Sequence, residues 1–325
     1  MGFFLTSPRL ITGIVNPKSA SGATAHRFKD LCGLCEKYLG KDSGRLSWKF
    51  TLKRGHAEHL AREALEQGSE VILSAGGDGT HSEVVKGFFT SEGKPVNPGA
   101  RLCCVSRGTA GDLCRSLGLC GGAEAAIRSL AENSFRRLDV AALEYAGRDG
   151  GRVRTHFINV ASAGIGAEVA HLVNIGPKWM GGKAVFALAT ARAFLGYRNR
   201  RLSISIDDGP FEEHVACSLA MANGRFFGGA MQIAPQALLD DGLLDVVCVG
   251  DFGFFGFLSK IRYVYAGTHL SIPGFWCRKA RTITVRSALP TGIEVDGEDV
   301  GALPVTITVI PGAIPVYVGE KAAVS

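Results

Sequence analysis

The feature that most constrains this chain is an alternation over its first ~135 residues, in which short apolar runs take turns with helical patterns. Residues 10–16, 70–75 and 102–106 read as buried strands, and residues 47–53 alternate like a fourth. Residues 23–39 and 56–68 carry helical periodicity, and 81–89 opens another helix. Strands separated by helices argue a parallel sheet covered on both faces. After about residue 135 the rhythm changes. Strand-like runs come at shorter spacing, and only residues 182–196 and 252–265 read as helical. Many short strands with turn signals argue a sandwich or barrel. A length of 325 residues fits two such domains. The expected division is 9–135 and 136–312, with 313–325 a C-terminal strand that could return to the first domain.

Composition narrows the class. Apolar residues make up 46% and charged residues 20%, which excludes a disordered chain. Glycine is in excess at 43 residues, against about 7% in an average protein. With 12 prolines and no Gly-X-Y period, collagen and low-complexity readings fail. The formal charge of +6 is mild and no dense basic stripe occurs, so nucleic acid is not an expected partner. Anionic membrane surfaces or phosphorylated ligands fit that charge. Nine scattered cysteines suit a reducing compartment, and Cys32 and Cys35 read as two apolar positions on one helix face rather than a redox pair. No uninterrupted run of 18 apolar residues is present, so no transmembrane helix is expected. Gly2 and Thr6 match a myristoylation pattern that the bulky Phe3 weakens.

The glycines gather where chemistry would need bare backbone. Gly76, Gly77 and Gly79 surround Asp78 and precede Thr80, between a strand and a helix that carries Glu83 in its first turn. Peptide N–H groups there can meet phosphate oxygens, and Asp78 makes sense if it helps to hold Mg²⁺. A structural glycine-rich turn is the plainer alternative. The loop is neither a Walker A sequence nor a dinucleotide fingerprint. Asn16 and Pro17, leading to Gly22, follow the first strand; Gly108, Thr109 and Asp112 follow the fourth. All three turns fall at carboxyl ends of expected strands, the ligand-binding edge of open α/β sheets. Late in the β-rich part, Asp296 and Glu298 flank Gly297. They form either a surface hairpin turn or a source of general base. A base from one domain and phosphates held by the other would place the reaction in the cleft between them.

Taken together, these elements resemble the diacylglycerol kinase catalytic-domain family, which includes sphingosine kinases, ceramide kinases and soluble bacterial lipid kinases. The resemblance rests on Asn16-Pro17 with Gly22, Thr51 before Gly-His-Ala, Gly76 to Thr80 with Glu83, Gly108-Thr109 with Asp112, and Asp139. It continues through residues 157–169, 228–247 and 295–298, so it runs over about 10–318. It implies an α/β Rossmann-like N-terminal domain and a β-rich, sandwich-like C-terminal domain. It also implies an ATP- and Mg²⁺-dependent kinase of a lipid hydroxyl, cytoplasmic and peripheral at membranes, and a homodimer is compatible with it. By the same resemblance Asn16, Pro17, Thr51, Gly76 to Thr80, Glu83, Gly108 and Thr109 would bind ATP. Asp78, Asp112 and Asp139 would organise Mg²⁺, and Asp296 or Glu298 would be the base. A structural magnesium would sit at the Asp241-Gly242 turn, with carbonyls from Leu238 and Leu243. The family's usual Asn before the third loop's aspartate is replaced here by Gly111.

Two other functions compete. An NAD kinase also carries a glycine-aspartate loop and a β-rich domain, but the Asn-Pro turn, the Gly-Thr turn and residues 295–298 favour the lipid group. A non-enzymatic nucleotide- or membrane-binding module is encouraged by Gly111 alone. Residues 184–195 form an apolar helix followed by Arg198, Arg200 and Arg201. That is either a core helix with a basic end or the entrance to a lipid site, and residues 252–258 are a second lipid-facing candidate.

Overall fold

The computed structural model describes residues 9–40, 45–106, 111–147, 151–176 and 182–324. The chain divides into two compact units. The first comprises residues 1–108, 117–138 and 313–322, and the second 109–116, 139–312 and 323–325.

In the first unit the elements follow one another as β1 (Ile11–Val15), α1 (Ala23–His26), α2 (Phe28–Leu39), β2 (Leu46–Phe50), α3 (His56–Glu66), β3 (Val71–Gly76), α4 (Asp78–Gly87) and β4 (Arg101–Ser106). The single helix expected over 23–39 is interrupted at Arg27. Strand order is β2-β1-β3-β4, every pair parallel. β1 and β3 are buried at every position, which is why both read as unbroken apolar runs. Their order reverses direction between β1 and β3, the switch point where open α/β sheets take ligands. A helix that periodicity did not reveal, Gly122–Ala131, buries Ala126, Ile127 and Leu130 in this unit. Its alanine-rich sequence follows two glycines that mask its start.

Gly13 shows why β1 needs glycine at its centre. A Cβ there would stand 2.2 Å from Cε3 of Trp48, its partner in β2. The Trp48 ring also meets Phe28 edge-on at 5.0 Å, which fixes it in place.

The second unit begins with α5 (Asp112–Ser116); α6 is Gly122–Ala131 of the first. β5 (Phe135–Ala146) enters it, followed by β6 (Arg152–Phe157), β7 (Val160–Gly164), α7 (Ile165–Ile175), α8 (Gly182–Gly196), β8 (Arg200–Ile206), β9 (Glu212–Ala216), β10 (Ser218–Ala222), β11 (Leu244–Val249), α9 (Phe254–Ala266), β12 (Phe275–Ala280), β13 (Thr282–Ser287), β14 (Gly292–Val295) and β15 (Glu298–Tyr317). Antiparallel pairing links β12-β11-β10-β7-β14-β15 and, from β15, β13-β8-β9. Alternate residues build two cores. Ala161, Leu219, Met221 and Val246 face Ile204, Ile283 and Ile307 inside the sandwich. Val160, Ala220, Ala222 and Val247, one residue out of phase, pack under α7, α8 and α9. The residues 182–196 and 252–265 read as helical are α8 and, within two residues, α9. α7 was not anticipated because its start is hidden in a glycine-rich stretch.

β15 is long enough to serve both units. Val305 and Ile307 lie in the sandwich core, whereas Val316 pairs in parallel with Leu102 of β4.

Gly13→Ala is expected to destabilise the protein by about 1–3 kcal/mol through overpacking. Urea unfolding checks this, and combining it with Trp48→Leu should recover most of the loss. A loss that Trp48→Leu leaves untouched would rule out the ring contact as the cause.

Candidate active site

The first unit joins two of the three expected turns. At the end of β1, Asn16 N–H donates to the carbonyl of Ala75 at 3.0 Å, and its Nδ2 donates to Thr80 Oγ1 at 3.0 Å. Asn16 Oδ1 accepts from Lys18 N–H at 3.1 Å, so the amide binds its own turn and the neighbouring one. Thr51 N–H donates to Val15 O at 2.9 Å, placing the end of β2 alongside. α4 starts at Asp78, three residues earlier than expected, and Thr80 N–H closes its first turn on Gly77 O at 2.9 Å. Gly76 is sterically required, since a Cβ would lie 2.5 Å from Thr80 Cβ. The helix therefore opens with little side chain over its backbone, and at a helix start the N–H groups ahead of the first closed turn have no intrahelical acceptor.

Two side chains fix α4 against its surroundings. Glu83 accepts from Gly55 N–H at 2.8 Å and Ala57 N–H at 3.0 Å, so its carboxylate holds the start of α3. His81 is fully buried, and its Nδ1 lies 2.8 Å from Ser74 Oγ. Burial pushes the imidazole down to about 4, against a smaller opposing pull from Asp78, so it is neutral near pH 7. Asn16, Thr51, Gly76 to Thr80 and Glu83 are thus assembled on one edge of the first unit's sheet, with Pro17 in the β1 turn. Gly108 and Thr109 lie outside the described residues, as does the Gly2–Thr6 pattern.

In the second unit the acidic residues are engaged mainly by peptide groups. Asp112 accepts from Gly229 N–H at 2.8 Å and Ala230 N–H at 2.7 Å, in a turn whose three residues from Gly228 all have positive φ. Asp139 is buried and accepts from Gly242 N–H at 2.6 Å and Gly312 N–H at 2.7 Å. Burial raises its pKa; the two N–H groups oppose this, and Asp241 and Asp240 add to it. These are turn-holding arrangements, and they give the metal expectation for Asp112 and Asp139 no geometric support. Asp241 pairs with Lys279 and accepts from Leu243 N–H at 3.1 Å. Among the described residues no group of three or more His, Cys, Asp or Glu is arranged to hold a metal ion. Gly111 has φ +64°, a conformation that Asn adopts more readily than most residues, so glycine preserves the backbone where the amide is lost.

The acidic turn near residue 296 is a hairpin. Val295 pairs with Glu298, and Asp296 and Gly297 between them have φ +48° and +85°. Both signs are those of a type I′ turn, for which Asp-Gly is a favoured sequence. Asp296 Oδ1 accepts from Val160 N–H at 3.0 Å, and its own N–H donates to Val160 O at 2.9 Å. Glu298, half-buried, opens β15.

Glu294 was not singled out from the sequence. It sits opposite Ser162 across the β14–β7 pairing, accepts from Ser162 Oγ at 2.8 Å, and accepts from Gly297 N–H at 2.8 Å. Burial raises its pKa to about 7, with Asp296 adding to the shift and the two hydrogen bonds opposing it. A charged residue between Ile293 and Val295 in a buried strand is the only sequence signal it gives. Its two contacts tie the Asp296–Gly297 turn to β7.

Comparison with known proteins bears on this geometry. Residues 11–143 match the diacylglycerol kinase catalytic domain, and residues 159–318 match the YegS C-terminal NAD kinase beta sandwich-like domain. The chain belongs to the diacylglycerol kinase catalytic-domain family. A "Probable lipid kinase YegS-like" protein of Stenotrophomonas maltophilia is 28% identical over 315 residues, 96% of this chain and 97% of that one. Another of the same name from Xanthomonas euvesicatoria is 34% identical over 66% of this chain and 67% of its own length. The crystal structure of a diacylglycerol kinase from Bacillus anthracis aligns over 98% of this chain and 99% of that one, with TM-score 0.69 and 18% identity. The expected architecture of an α/β domain followed by a β-sandwich-like domain holds for this family member.

Glu294 makes a pH prediction. Its folded pKa lies above the ordinary carboxyl value of 4.5, so its stabilising effect is complete below pH 4.5 and is lost as pH rises through 7. Glu294→Gln keeps both partners and removes that loss. Its stability relative to the native sequence should climb between pH 4.5 and 7, to a gain on the order of 3 kcal/mol, and level off above. Denaturant titrations across that range test this, and a pH-independent difference would refute it.

Proposed function

We propose that this family member is an ATP- and Mg²⁺-dependent lipid kinase that transfers the γ-phosphate to a hydroxyl of a membrane lipid such as diacylglycerol or a sphingoid base. The observation that carries the reading is the Asn16–Thr80 hydrogen bond at the switch point. It fixes a glycine-rich helix start beside a second turn, on the edge where a polyphosphate would meet peptide N–H groups.

In this reading Gly76, Gly77 and Gly79 expose backbone to the phosphates, Asn16 and Thr80 hold the two turns in register, and Thr51 and Glu83 shape the rim. The first turn of α4 presents Asp78, the residue assigned to the nucleotide's metal. Mg²⁺ would neutralise the charge of the phosphates when bound. A structural cation expected at the Asp241–Gly242 turn, with the carbonyls of Leu238 and Leu243, does not fit the residues as arranged, because one Asp241 oxygen is bonded to Lys279 and the other accepts from Leu243 N–H. Asp296 or Glu298 takes the proton from the attacking hydroxyl. Asp296 is held by Val160 N–H, and Glu294 steadies the turn between the two candidates. Proximity and electrostatics do the remainder, as in other phosphoryl transfers. Attachment at membrane surfaces would be peripheral in this reading; among the described residues no helix is long and apolar enough to cross a bilayer.

Labelled ATP offered with a lipid panel and with NAD tests the reading. Asp78→Ala is expected to abolish lipid phosphorylation with an unchanged thermal melt. Full activity in that variant, or label entering NAD alone, would overturn the assignment. Of Asp296→Asn and Glu298→Gln, the variant at the base should lose about 10²-fold or more in kcat with ATP affinity retained. If neither loses kcat, no base acts from this turn.

A further inference from the structure

Four acids converge where the second unit's chain enters β11. Asp240 and Asp241 precede Gly242, and Asp245 is the second residue of the strand. Asp139 is buried and accepts the N–H of Gly242 in the same turn. Asp139 feels the charges of Asp241 and Asp240, and Asp245 feels that of Asp241. The Asp241 side chain is 16% exposed and that of Asp245 only 3%. Acids drawn out of water this close together call for a cation among them. A divalent metal ion is one answer, and an ammonium group is another.

Sheet register supplies the ammonium. β11 and β12 are antiparallel, with Asp245 directly opposite Lys279 and Val247 opposite Cys277. Residues two apart on a strand share a face, so Cys277 and Lys279 both stand beside Asp245 on one side of the sheet. Cys277 Sγ donates to Asp245 Oδ1 at 3.5 Å, and Lys279 Nζ lies 3.9 Å from Asp245 Oδ2. From that position Nζ donates to Asp241 Oδ2 at 2.5 Å. The ammonium therefore spans two acids, one in the turn and one in the strand. Lys279 is itself 39% exposed, so its pair with Asp241 alone would contribute little. Asp245 changes that balance, because its buried carboxylate faces the same ammonium.

The rest of the turn is also held by this chain. Leu243 N–H donates to the second Asp241 oxygen at 3.1 Å. Asp139 accepts from Gly242 N–H at 2.6 Å, and its own N–H donates to Leu239 O at 2.7 Å. Leu239 N–H donates to Ala323 O at 2.8 Å, and Arg225 Nε donates to Ala237 O at 2.9 Å. From Ala237 to Leu243 the backbone is thus tied to protein groups on both sides of the acid pair.

We infer that Lys279 supplies the positive charge that the resemblance assigns to a structural magnesium, and that the Asp241–Gly242 turn keeps its shape without a metal ion. The inference goes beyond the lipid-kinase reading and does not rest on it. Within that reading, the magnesium that the reaction still needs is the nucleotide's own.

Thermal melts of the full chain, with neither nucleotide nor lipid present, test this. The native chain should show no response to chelator or to millimolar Mg²⁺ that Asp241→Asn removes. Lys279→Ala should melt lower by about 3 °C or more, and millimolar Mg²⁺ should recover about half of that loss. Recovery is expected because Mg²⁺ can be held through one or two carboxylates while keeping its waters. Adding Asp241→Asn to Lys279→Ala should abolish it. Lys279→Arg keeps the charge, so it should melt near the native temperature and stay indifferent to Mg²⁺. A chelator that lowers the native melt but not that of Asp241→Asn would overturn the proposal. So would a Lys279→Ala chain that Mg²⁺ leaves unrecovered, or an arginine variant that acquires the response. Should Lys279→Ala fail to fold, the native and arginine melts decide the matter between them. Failure of every acceptor assay would overturn the kinase reading and leave these melts, and the inference, standing.

Discussion

The first unit depends on one amide. Asn16 reaches from the turn after β1 to the hydroxyl of Thr80, and Thr80 packs where only a glycine at position 76 leaves room. Three features thus constrain one another: an amide long enough to cross between strands, a hydroxyl to receive it, and a missing Cβ. The parallel register of β1 with β3 brings Val15 beside Ala75, which sets the two turns at the spacing the amide spans. Burial of the strands supplies the rigidity, and the neutral His81 under the helix adds no charge to the site.

Four carboxylates in this protein hold backbone at glycine-rich turns and helix starts. Glu83 at the start of α3, Asp112 at the Gly229 turn, Asp139 between Gly242 and Gly312, and Glu294 at Gly297 each accept peptide N–H groups. A charged acceptor forms stronger hydrogen bonds than a neutral one, and buried backbone donors must be satisfied. Glycine-rich turns expose such donors without side chains to cover them. The glycine excess and these acids therefore belong together: glycine allows the left-handed turn, and the acid captures the donors it leaves.

Much of the fold could be read from the sequence because the information is local. β1, β3 and β4 are short apolar runs, α3 is a periodic segment with a glycine stop, and the two helices expected in the β-rich part, α8 and α9, lie within two residues of their expected bounds. The turn after β1 and the loop around Asp78 were also legible, since glycine and asparagine mark them directly. The Asp-Gly hairpin could be recognised as a turn, whereas the sequence could not separate the expectation of a base there from that plainer role. Long-range relationships were illegible. Glu294 gains its meaning from Ser162, 132 residues earlier, and nothing local to it forecasts that pairing. Likewise the sequence places Asp112 beside a glycine-rich turn and Asp139 within Leu-Asp-Val-Ala, but only the fold shows that distant peptide groups occupy their carboxylates. α6 and α7 were missed because glycines at their starts hide the periodicity that follows.

The long strand β15 has a consequence for how the molecule is made. Its residues up to 312 belong to the second unit, and residues 313–322 complete the first, whose preceding segment ends at Leu138. On a ribosome those segments emerge more than 170 residues apart. The unit that is translated first is therefore unable to finish first: β4 waits for Val316 until the whole sandwich has been synthesised. The usual order, in which an N-terminal domain folds while the next is still being translated, does not apply to this chain. Its two units must reach their final form together, near the end of synthesis.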